Sequence, residues 1–324
     1  IGRRRPLLPF IVTAILCAGY VAGQTTERLV PDVPGLEYIR LGGGAGWESL
    51  DLATNIATAP GWRGGEDVIL ADRTESVGPH VEFIGRFDSA VGDVEGGYGI
   101  LDASGVRVMS RHARFGDGAL AFDGASTLSL SPPLGSVFTP YTQPGSFVID
   151  LWLRPTRVGE GTEVLRRHGA LLNAGRPVLQ ELRFEVDEGR FRWVLRNIVA
   201  QFDDEGRRVM GDAVLVGRRR PVPDRWTHHR LRYDSSRGQL AYLVDGVPEA
   251  ITYLSGSGEE ETDRYSLLFG DDTGAGVVLG DGYYGLMDEV RIERRADASI
   301  RSARYDGTPG IVETHPIRLG SRGG

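Results

Sequence analysis

Short apolar or alternating runs, separated by turn residues, follow one another through most of the chain after residue 80. Runs of this length, broken by Gly, Asp and Pro, are typical of strands in a β-sandwich. No window has a sustained helical period, apart from one turn near residues 296–301. The predicted strands are residues 81–87, 119–124, 127–131, 146–155, 181–186, 190–199, 226–234, 239–246, 266–270 and 286–293. The pattern therefore predicts an all-β protein built as an antiparallel sandwich.

Two features of the pattern make this prediction more specific. Tight hairpins are predicted at Asp187-Glu188-Gly189 and at Asp245-Gly246, because Gly supplies the positive φ that a tight turn demands. In residues 146–155, side chains alternate between an apolar face and a mixed one, which we expect to lie in the core and in solvent, respectively. The apolar set is Phe147, Ile149, Leu151 and Leu153, and the mixed set is Val148, Asp150, Trp152 and Arg154.

The two ends of the chain differ from this middle region. Residues 1–23 run from three arginines through an apolar stretch to small residues, the layout of a secretory signal peptide. The apolar stretch is shorter than the ~20 residues that cross a bilayer, and no later segment approaches that length. We therefore expect a protein outside the cytoplasm, periplasmic, cell-surface or secreted, with no transmembrane segment after signal cleavage. The absence of lysine, with arginine in its place, indicates the codon bias of a GC-rich bacterial genome.

The remaining boundaries follow from changes in composition. Residues 24–78 are rich in Gly, Pro and Asp and are predicted to be an irregular N-terminal extension. Residues 79–297 are predicted to form the β-domain, and residues 298–324 a C-terminal tail of loop composition. Nothing caps this tail, and Ile1 stands where a methionine is expected, so a fragment is one interpretation.

Composition excludes several classes of chemistry. Cys17, within the predicted signal peptide, is the only cysteine, so the mature chain has no disulfide and no thiolate nucleophile. All 37 basic residues are arginine, which excludes Schiff-base and P-loop lysines. The net charge is −7, and removing the three arginines of residues 1–23, which contain no acidic residue, makes it −10. Nucleic acid is therefore not an expected partner.

Four stretches, taken in order, resemble the LamG-like domains of the concanavalin A-like lectin/glucanase superfamily. They are RFGDGALAFDG (114–124), SFVIDLWLRP (146–155), RWTHHRLRYDSSRGQLAYLVDG (225–246) and GYYGLMDEVRIERRA (282–296). The resemblance implies a concanavalin A-like jelly roll. Two positions depart from the family pattern: His229 replaces a valine, and Glu293 replaces an aromatic residue.

The adjacent His228 and His229 suggest a metal site or a core position. Successive strand residues point to opposite faces, so the two rings cannot reach one ion without a bulge. His229 shares a face with Leu231 and Tyr233, where a hydrogen-bonded core histidine is expected. His228 shares the other face with Trp226 and the nearby arginines.

Catalytic motifs are incomplete. A retaining glycosidase of this fold supplies its carboxylates as E-x-D-x-x-E, and the nearest match, residues 185–190, ends in Arg190. No G-x-S-x-G motif is present. The sequence therefore predicts a protein that is not an enzyme.

Calcium is the one cofactor that the resemblance implies. If a structural calcium is bound, Asp123 and Asp288 are its expected ligands, since hard cations prefer carboxylate oxygens from loops. The alternative is that Asp123 shapes a turn and that Asp288 accepts hydrogen bonds from backbone where the last strand enters the sheet.

Arginines on alternate strand positions are the candidate ligand contacts. Arg190 and Arg192 share one predicted outward face, and Arg230 and Arg232 share another. If the two strands lie in one sheet, these residues form a basic patch that suits carboxylate or sulfate groups of an anionic glycan. The alternative is an exposed ion-pair lattice with Arg183, Glu185 and Asp187.

Two adjacent tyrosines complete the candidate residues. Tyr283 occupies a core aromatic position of the resembled family, whereas Tyr284 is expected to point outward, where it could stack on a sugar ring.

The sequence thus favours a noncatalytic binding module for a polysaccharide or other glycan, or for an envelope protein. Two alternatives stay open at this stage: a glycoside hydrolase or lyase of the same fold, and a structural component of the cell envelope.

Overall fold

The structure, a computed structural model, describes residues 50–60, 66–71, 77–110, 112–300 and 311–314. It divides into two compact units, one formed by Thr74–Arg304 and the other by Ile1–Arg73 with Tyr305–Gly324. The predicted signal peptide lies outside the described residues. In the part of the chain that is described, no helix is long and apolar enough to cross a membrane.

The strands are numbered in chain order. They are β1 (Leu50–Thr54), β2 (Ile56–Pro60), β3 (Glu66–Leu70), β4 (Val81–Gly85), β5 (Val94–Gly96), β6 (Gly99–Asp102), β7 (Arg107–Met109), β8 (Ala119–Asp123), β9 (Leu128–Ser131), β10 (Phe147–Arg157) and β11 (Glu163–Asn173). The others are β12 (Arg176–Asp187), β13 (Arg190–Phe202), β14 (Arg208–Val216), β15 (Thr227–Asp234), β16 (Gln239–Val244), β17 (Val247–Tyr253), β18 (Ser266–Leu267), β19 (Asp271–Asp281), β20 (Tyr284–Glu293) and β21 (Ile311–Thr314).

The smaller unit contains strands from before and after the larger unit in the chain. β1 pairs antiparallel with β21, and β2 pairs antiparallel with β3. Residues 24–78 and 298–324, which are predicted to be separate segments, therefore contribute strands to one unit. Pairing between residues so far apart leaves no local signal in the sequence.

Two antiparallel sheets form the larger unit. Sheet 1 has the strand order β17-β16-β15-β10-β20-β4-β5, and β8 also pairs with β20 and carries β7. Sheet 2 has the order β14-β13-β12-β11-β19-β9-β6, and β18 also pairs with β13. The strands that the sequence predicted fall in both sheets.

Aromatic side chains pack between the two sheets. The ring of Phe184 in sheet 2 lies 5.4 Å from the ring of His229 and 5.7 Å from the ring of Tyr242, both in sheet 1. The buried core is continuous and draws on both sheets, so apolar burial holds them face to face. The predicted antiparallel β-sandwich is confirmed.

Both predicted hairpins are confirmed. Glu188 and Gly189, with φ of 50° and 70°, connect β12 to β13. Asp245 and Gly246, with φ of 50° and 77°, connect β16 to β17. Positive φ at two successive central residues matches the twist of the flanking strands.

One prediction about β10 is wrong. Its mixed face is not solvent-exposed, since Val148, Asp150 and Trp152 are all buried. The main chain of Ala298 and Ser299 lies over this face, where it accepts hydrogen bonds from Arg230, and Arg114 lies over Trp152 at 4.3 Å. The predicted alternation of side chains along β10 is correct, but the outer face of the strand is covered by other segments of the same unit.

Candidate functional site

The outward side chains of β11, β12 and β13 form a continuous polar surface on sheet 2, which we call the charged face. Strand register brings its members together, because Glu185 stands opposite Arg192 and Glu181 opposite Arg196. Alternate residues of a strand point to the same side, so the intervening apolar residues enter the core. The charged face consists of Glu163, Arg166, His168, Glu181, Arg183, Glu185, Arg192 and Arg196.

Ion pairs link the charged face across its strands. Arg183 is central: its Nη1 lies 2.8 Å from Oε2 of Glu185 and 3.5 Å from Oε1 of Glu163, and its Nη2 lies 3.3 Å from Oε2 of Glu181. Arg192 extends the network, because its Nε donates to Oε1 of Glu185 at 2.7 Å. Each guanidinium is thereby held in a defined orientation.

The edges of this network are closer to solvent than its centre. The side chain of Arg196 is 52% exposed, whereas that of Glu185 is 6% exposed. Arg192 also pairs with Asp187, so the lattice expected from Arg183, Glu185 and Asp187 is present on sheet 2. Arg190, at the hairpin, is exposed.

A small pocket adjoins the charged face between β11 and β19. Its volume is about 190 Å³. Register explains its origin: Arg167 pairs with Val277 and Gly169 pairs with Asp272, so four residues of β19 bulge out opposite His168. The lining residues are Arg166, His168, Thr273, Gly274, Ala275, Gly276 and Val278.

Gly276 closes this bulge. Its φ is +68°, and its amide donates to Oδ2 of Asp272 at 3.0 Å. A Cβ at this position would lie 2.0 Å from the carbonyl oxygen of Leu130. Only glycine fits such a close approach to the neighbouring backbone.

The predicted joint basic patch is wrong. Arg190 and Arg192 lie on β13 of sheet 2, whereas Arg230 and Arg232 lie on β15 of sheet 1. The outer faces of a sandwich point in opposite directions, so these two pairs of arginines cannot contact one ligand.

Arg230 is also not solvent-facing, which corrects the second half of that prediction. It is 4% exposed and donates to both carboxylate oxygens of Asp150, at 2.6 and 2.7 Å. The carbonyl oxygens of Ala298 and Ser299 accept its remaining bonds. Arg232 is partly buried and donates to Oε1 of Gln239 at 2.7 Å.

The two adjacent histidines point to opposite faces, as predicted. Nε2 of His228 lies 3.1 Å from Oδ1 of Asp150 on the outer face. His229 lies in the core, where Nδ1 and the hydroxyl of Tyr242 are 2.7 Å apart and Nε2 and Oγ1 of Thr227 are 2.8 Å apart. Burial lowers the pKa of His229 to about 3, so this ring is neutral.

Asp150 is a buried carboxylate on the outer face of sheet 1. Burial acts to raise its pKa, but hydrogen bonds from Arg230 and His228 outweigh burial and lower the pKa to about 2. Asp150 and Arg230 therefore form a buried ionic cluster, which His228 contacts.

The two predicted calcium ligands lie apart. Asp123 stands opposite Tyr284 in the β8–β20 ladder, so four residues of β20, roughly 13 Å, separate its position from Asp288. Asp288 accepts hydrogen bonds from the amides of Arg114 and Phe115, and Asp123 accepts from those of Ala125 and Ser126. These contacts agree with the turn and backbone alternative, and no cluster of three or more metal-ligating side chains occurs in the described ranges. Calcium binding therefore stays a prediction, but Asp123 and Asp288 are too far apart to bind one ion together.

The two tyrosines have different environments. Tyr283 is buried in the core, and its hydroxyl donates to the carbonyl oxygen of Leu286 at 3.0 Å. The ring of Tyr284 is covered by the guanidinium of Arg157, which lies 3.5 Å from the ring centroid. Its ring also packs on Gly124. Stacking of Tyr284 on a sugar would therefore require Arg157 to move.

Comparison with known proteins identifies the family. A family model described as the concanavalin A-like lectin/glucanases superfamily matches residues 123–297, more than half of the chain. The chain belongs to this superfamily. The predicted concanavalin A-like jelly roll is therefore confirmed. No curated protein matches the chain.

Three solved structures that are similar to this chain have low sequence identity to it. Domain 4 of AbnA, a GH43 extracellular arabinanase from Geobacillus stearothermophilus, has 16% identity and a TM-score of 0.40, with 67% of this chain and 93% of that chain covered. The CBM40 of Ruminococcus gnavus IT-sialidase has 14% identity and a TM-score of 0.37, with 56% and 91% covered. The binding domain of botulinum neurotoxin serotype D has 6% identity and a TM-score of 0.36, with 62% and 44% covered. The superfamily assignment rests on the family model.

Sequence reasoning missed the part of the site that β11 and β19 supply. Arg166, His168 and the pocket beside them were not among the candidates, since neither strand was predicted. The signal that could have found them is the glycine pattern of residues 271–276, DDTGAG, in a region where the neighbouring strands alternate regularly.

Proposed function

We propose that this protein is an exported, noncatalytic carbohydrate-binding module whose charged face contacts sugar hydroxyl groups. The observation that carries the proposal is the ion-pair network on sheet 2, which presents guanidinium and carboxylate groups side by side on an outer face. The layout of residues 1–23 supports an extracytoplasmic location, where polysaccharides are encountered.

Sugar hydroxyls need both donors and acceptors, and the charged face offers both. A guanidinium has five N–H donors in a rigid fork, and a carboxylate has two acceptor oxygens. Arg183 and Glu185 hold each other in place, so neither side chain must be ordered when a ligand binds. Binding to groups that are already fixed avoids part of the entropy loss of association.

The mixed charge of this surface favours a hydroxyl-rich ligand over a purely anionic one. Carboxylates of Glu163, Glu181 and Glu185 alternate with the arginines, so an extended anion would meet like charges along the strands. The pocket at His168 is below the ~300 Å³ of a typical small-molecule site, so it has room for a substituent of a chain rather than for a whole oligosaccharide.

Binding assays with the full chain test the proposal. We expect affinity for at least one neutral polysaccharide on a glycan array, and a loss of roughly tenfold or more, about 1.4 kcal/mol, in Arg192→Ala and in Arg166→Ala. Arg207→Ala is the matched control, because Arg207 forms an exposed ion pair with Asp203 in the β13–β14 hairpin. If both test variants, folded as judged by circular dichroism, bind like the control, the charged face is not the binding surface.

One observation favours a second candidate, a glycoside hydrolase. Glu163 and Glu185 both contact Nη1 of Arg183, so two carboxylates lie near each other on an outer face, as a retaining mechanism requires. Incubation of the same polysaccharides with the protein decides between the two. Release of reducing ends that Glu185→Gln abolishes would establish hydrolysis and contradict the noncatalytic proposal.

A further inference from the structure

A larger cavity of about 620 Å³ lies at one end of the sandwich, away from the charged face. It is formed where β20 ends, beside the start of β4 and the residues that precede β10. We call it the arginine pocket. Its lining residues are His80, Gly145, Ser146, Arg294, Arg295, Ala296 and Asp297.

The end of β20 explains why two consecutive arginines share this cavity. In a strand, Arg294 and Arg295 would point to opposite faces, but β20 ends at Glu293. The amide of Arg294 donates to the carbonyl oxygen of His80 at 2.8 Å, which fixes the departing chain beside β4. Both guanidinium groups then line the same space.

A buried carboxylate forms an ion pair with each guanidinium on its Nε side. Nε of Arg294 lies 3.2 Å from Oε1 of Glu82, and its Nη1 donates to the carbonyl oxygen of Gly135 at 3.0 Å. Nε of Arg295 pairs with Oε1 of Glu293. Glu82 and Glu293 are 6% and 1% exposed, so these anchors lie beneath the cavity rather than within it.

Anchoring at Nε leaves the terminal nitrogens for another partner. No described residue accepts a hydrogen bond from Nη2 of Arg294 or from either terminal nitrogen of Arg295. Glu293 is also the position where the chain departs from the aromatic residue of the family pattern. The substitution that removes an aromatic side chain therefore provides a carboxylate that forms ion pairs with Arg291 and Arg295.

We propose that the arginine pocket binds the carboxylate of an acidic sugar unit, a uronate. Two adjacent guanidinium groups match a planar carboxylate through charge-assisted hydrogen bonds. Asp297 supplies acceptor oxygens for sugar hydroxyls, and Ala296 supplies an apolar contact. The volume lies within the range of small-ligand sites and has room for one or two rings.

The inference rests on the proposed function only in its choice of a sugar, since the acidic group is inferred from the terminal nitrogens of Arg294 and Arg295. It adds a second contact of different chemistry, so the partner would be a polysaccharide that carries both neutral and acidic units. The two sites lie on different parts of the larger unit and can be tested separately.

Calorimetric titration of the full chain with D-galacturonate, D-galactose and inorganic sulfate tests the proposal. We expect galacturonate to bind at least tenfold more tightly than galactose, and Arg295→Gln to weaken galacturonate binding about tenfold or more. Gly145→Trp should have the same effect, since it fills the pocket and removes no ion pair, and no atom lies within 4 Å of its Cβ position. Arg207→Gln is the control and should bind like the wild type.

Each contrary result would overturn one part of the proposal for the arginine pocket. Equal binding of galactose would overturn the role of the arginines, and sulfate binding as tight as galacturonate binding would overturn the assignment to a sugar. Undiminished binding in folded Gly145→Trp would overturn the location. Arg192→Ala separates the two proposals, because it should weaken binding of the neutral polysaccharide and leave galacturonate binding unchanged.

Discussion

Arg230 points away from the core between the two sheets and is nevertheless buried. Its guanidinium binds Asp150 through two hydrogen bonds and also holds the carbonyl oxygens of Ala298 and Ser299. The residue therefore serves stability, and its outward direction does not make it available to a ligand. A charge at an outward strand position indicates which face it occupies, and only the surrounding chain decides its exposure.

Because Arg230 and Asp150 are buried together, removing one of them should destabilise the protein more than replacing both. Arg230→Met alone should lower the free energy of unfolding by roughly 3–5 kcal/mol, because it leaves the carboxylate of Asp150 buried with one partner fewer. The double variant Asp150→Leu with Arg230→Met should cost less than that, since no unpaired charge remains. Urea unfolding of the wild type, the single variant and the double variant measures these free energies.

A matched pair on the surface provides the control. Arg237 and Glu260 form a similar two-bond ion pair at an exposed position. Arg237→Met should leave the free energy of unfolding nearly unchanged, because water screens an exposed ion pair. If the buried and exposed substitutions cost the same, burial is not the source of the effect.

At this scale the sequence predicts side-chain direction well and environment poorly. Alternation correctly placed His228 and His229 on opposite faces, and the apolar neighbours of His229 indicated the core. The exposure of Arg230 and Trp152 could not be predicted, because it depends on contacts with segments such as residues 298–299 and 114–115, far away in the chain.

Among the elements, β11 shows why a central strand can escape detection. Arg167 occupies an inward position and is 3% exposed, with its guanidinium 5.3 Å from the ring centroid of Phe269. Its Nη2 donates to the carbonyl oxygen of Gly270 at 2.8 Å. An inward arginine and an inward Gly169 interrupt the apolar alternation, so the period-2 pattern on which strand prediction depends is absent.

β19 was also not predicted, because the four-residue bulge interrupts its alternation. Substitutions of two glycines in this bulge test its role. Gly276→Ala should lower the free energy of unfolding by about 2 kcal/mol or more, because a Cβ would press on the Leu130 carbonyl at a positive φ. Gly274→Ala, two residues earlier in the same bulge, has open space at its Cβ and should be nearly neutral. Thermal unfolding of the two variants compares them directly, and equal losses would contradict the role assigned to Gly276.

Across the larger unit, the two sheets have outer faces of different character. That of sheet 1 carries a buried ionic cluster beneath other segments, whereas that of sheet 2 carries the charged face. Motif order and strand alternation were enough to predict the sandwich and the family. They could not predict the candidate site, since Arg166, Arg183 and Arg192 come together only through the register of three strands.

The stability of the larger unit should depend on pH through His229. Its pKa is lowered in the folded state, so below about pH 6.5 the unfolded chain binds a proton that the folded protein does not. The contribution is fully present above that pH and is lost as the pH falls. Between pH 7.5 and 5.0 this residue alone should cost about 2 kcal/mol, measured by urea unfolding.

Two variants check the assignment of this pH dependence. In His229→Gln, the free energy of unfolding should fall by about 2 kcal/mol less between pH 7.5 and 5.0 than it does in the wild type. This difference does not depend on the stability of the variant at pH 7.5. His168→Gln, which removes an exposed histidine, is the control variant. Asp150 acts in a separate window, because its lowered pKa means that its contribution is lost only as the pH falls from about 4 through 2. Parallel curves for the wild type and His229→Gln would contradict the account.

The position of β20 constrains the order in which the fold can be completed. β20 is the last strand of sheet 1 in the chain, yet it lies in the middle of that sheet, between β10 on one side and β4 and β8 on the other. A chain that emerges from a ribosome cannot join the two halves of sheet 1 until residue 293 has appeared. Sheet 1 is therefore completed only after nearly the whole of the larger unit has been synthesised.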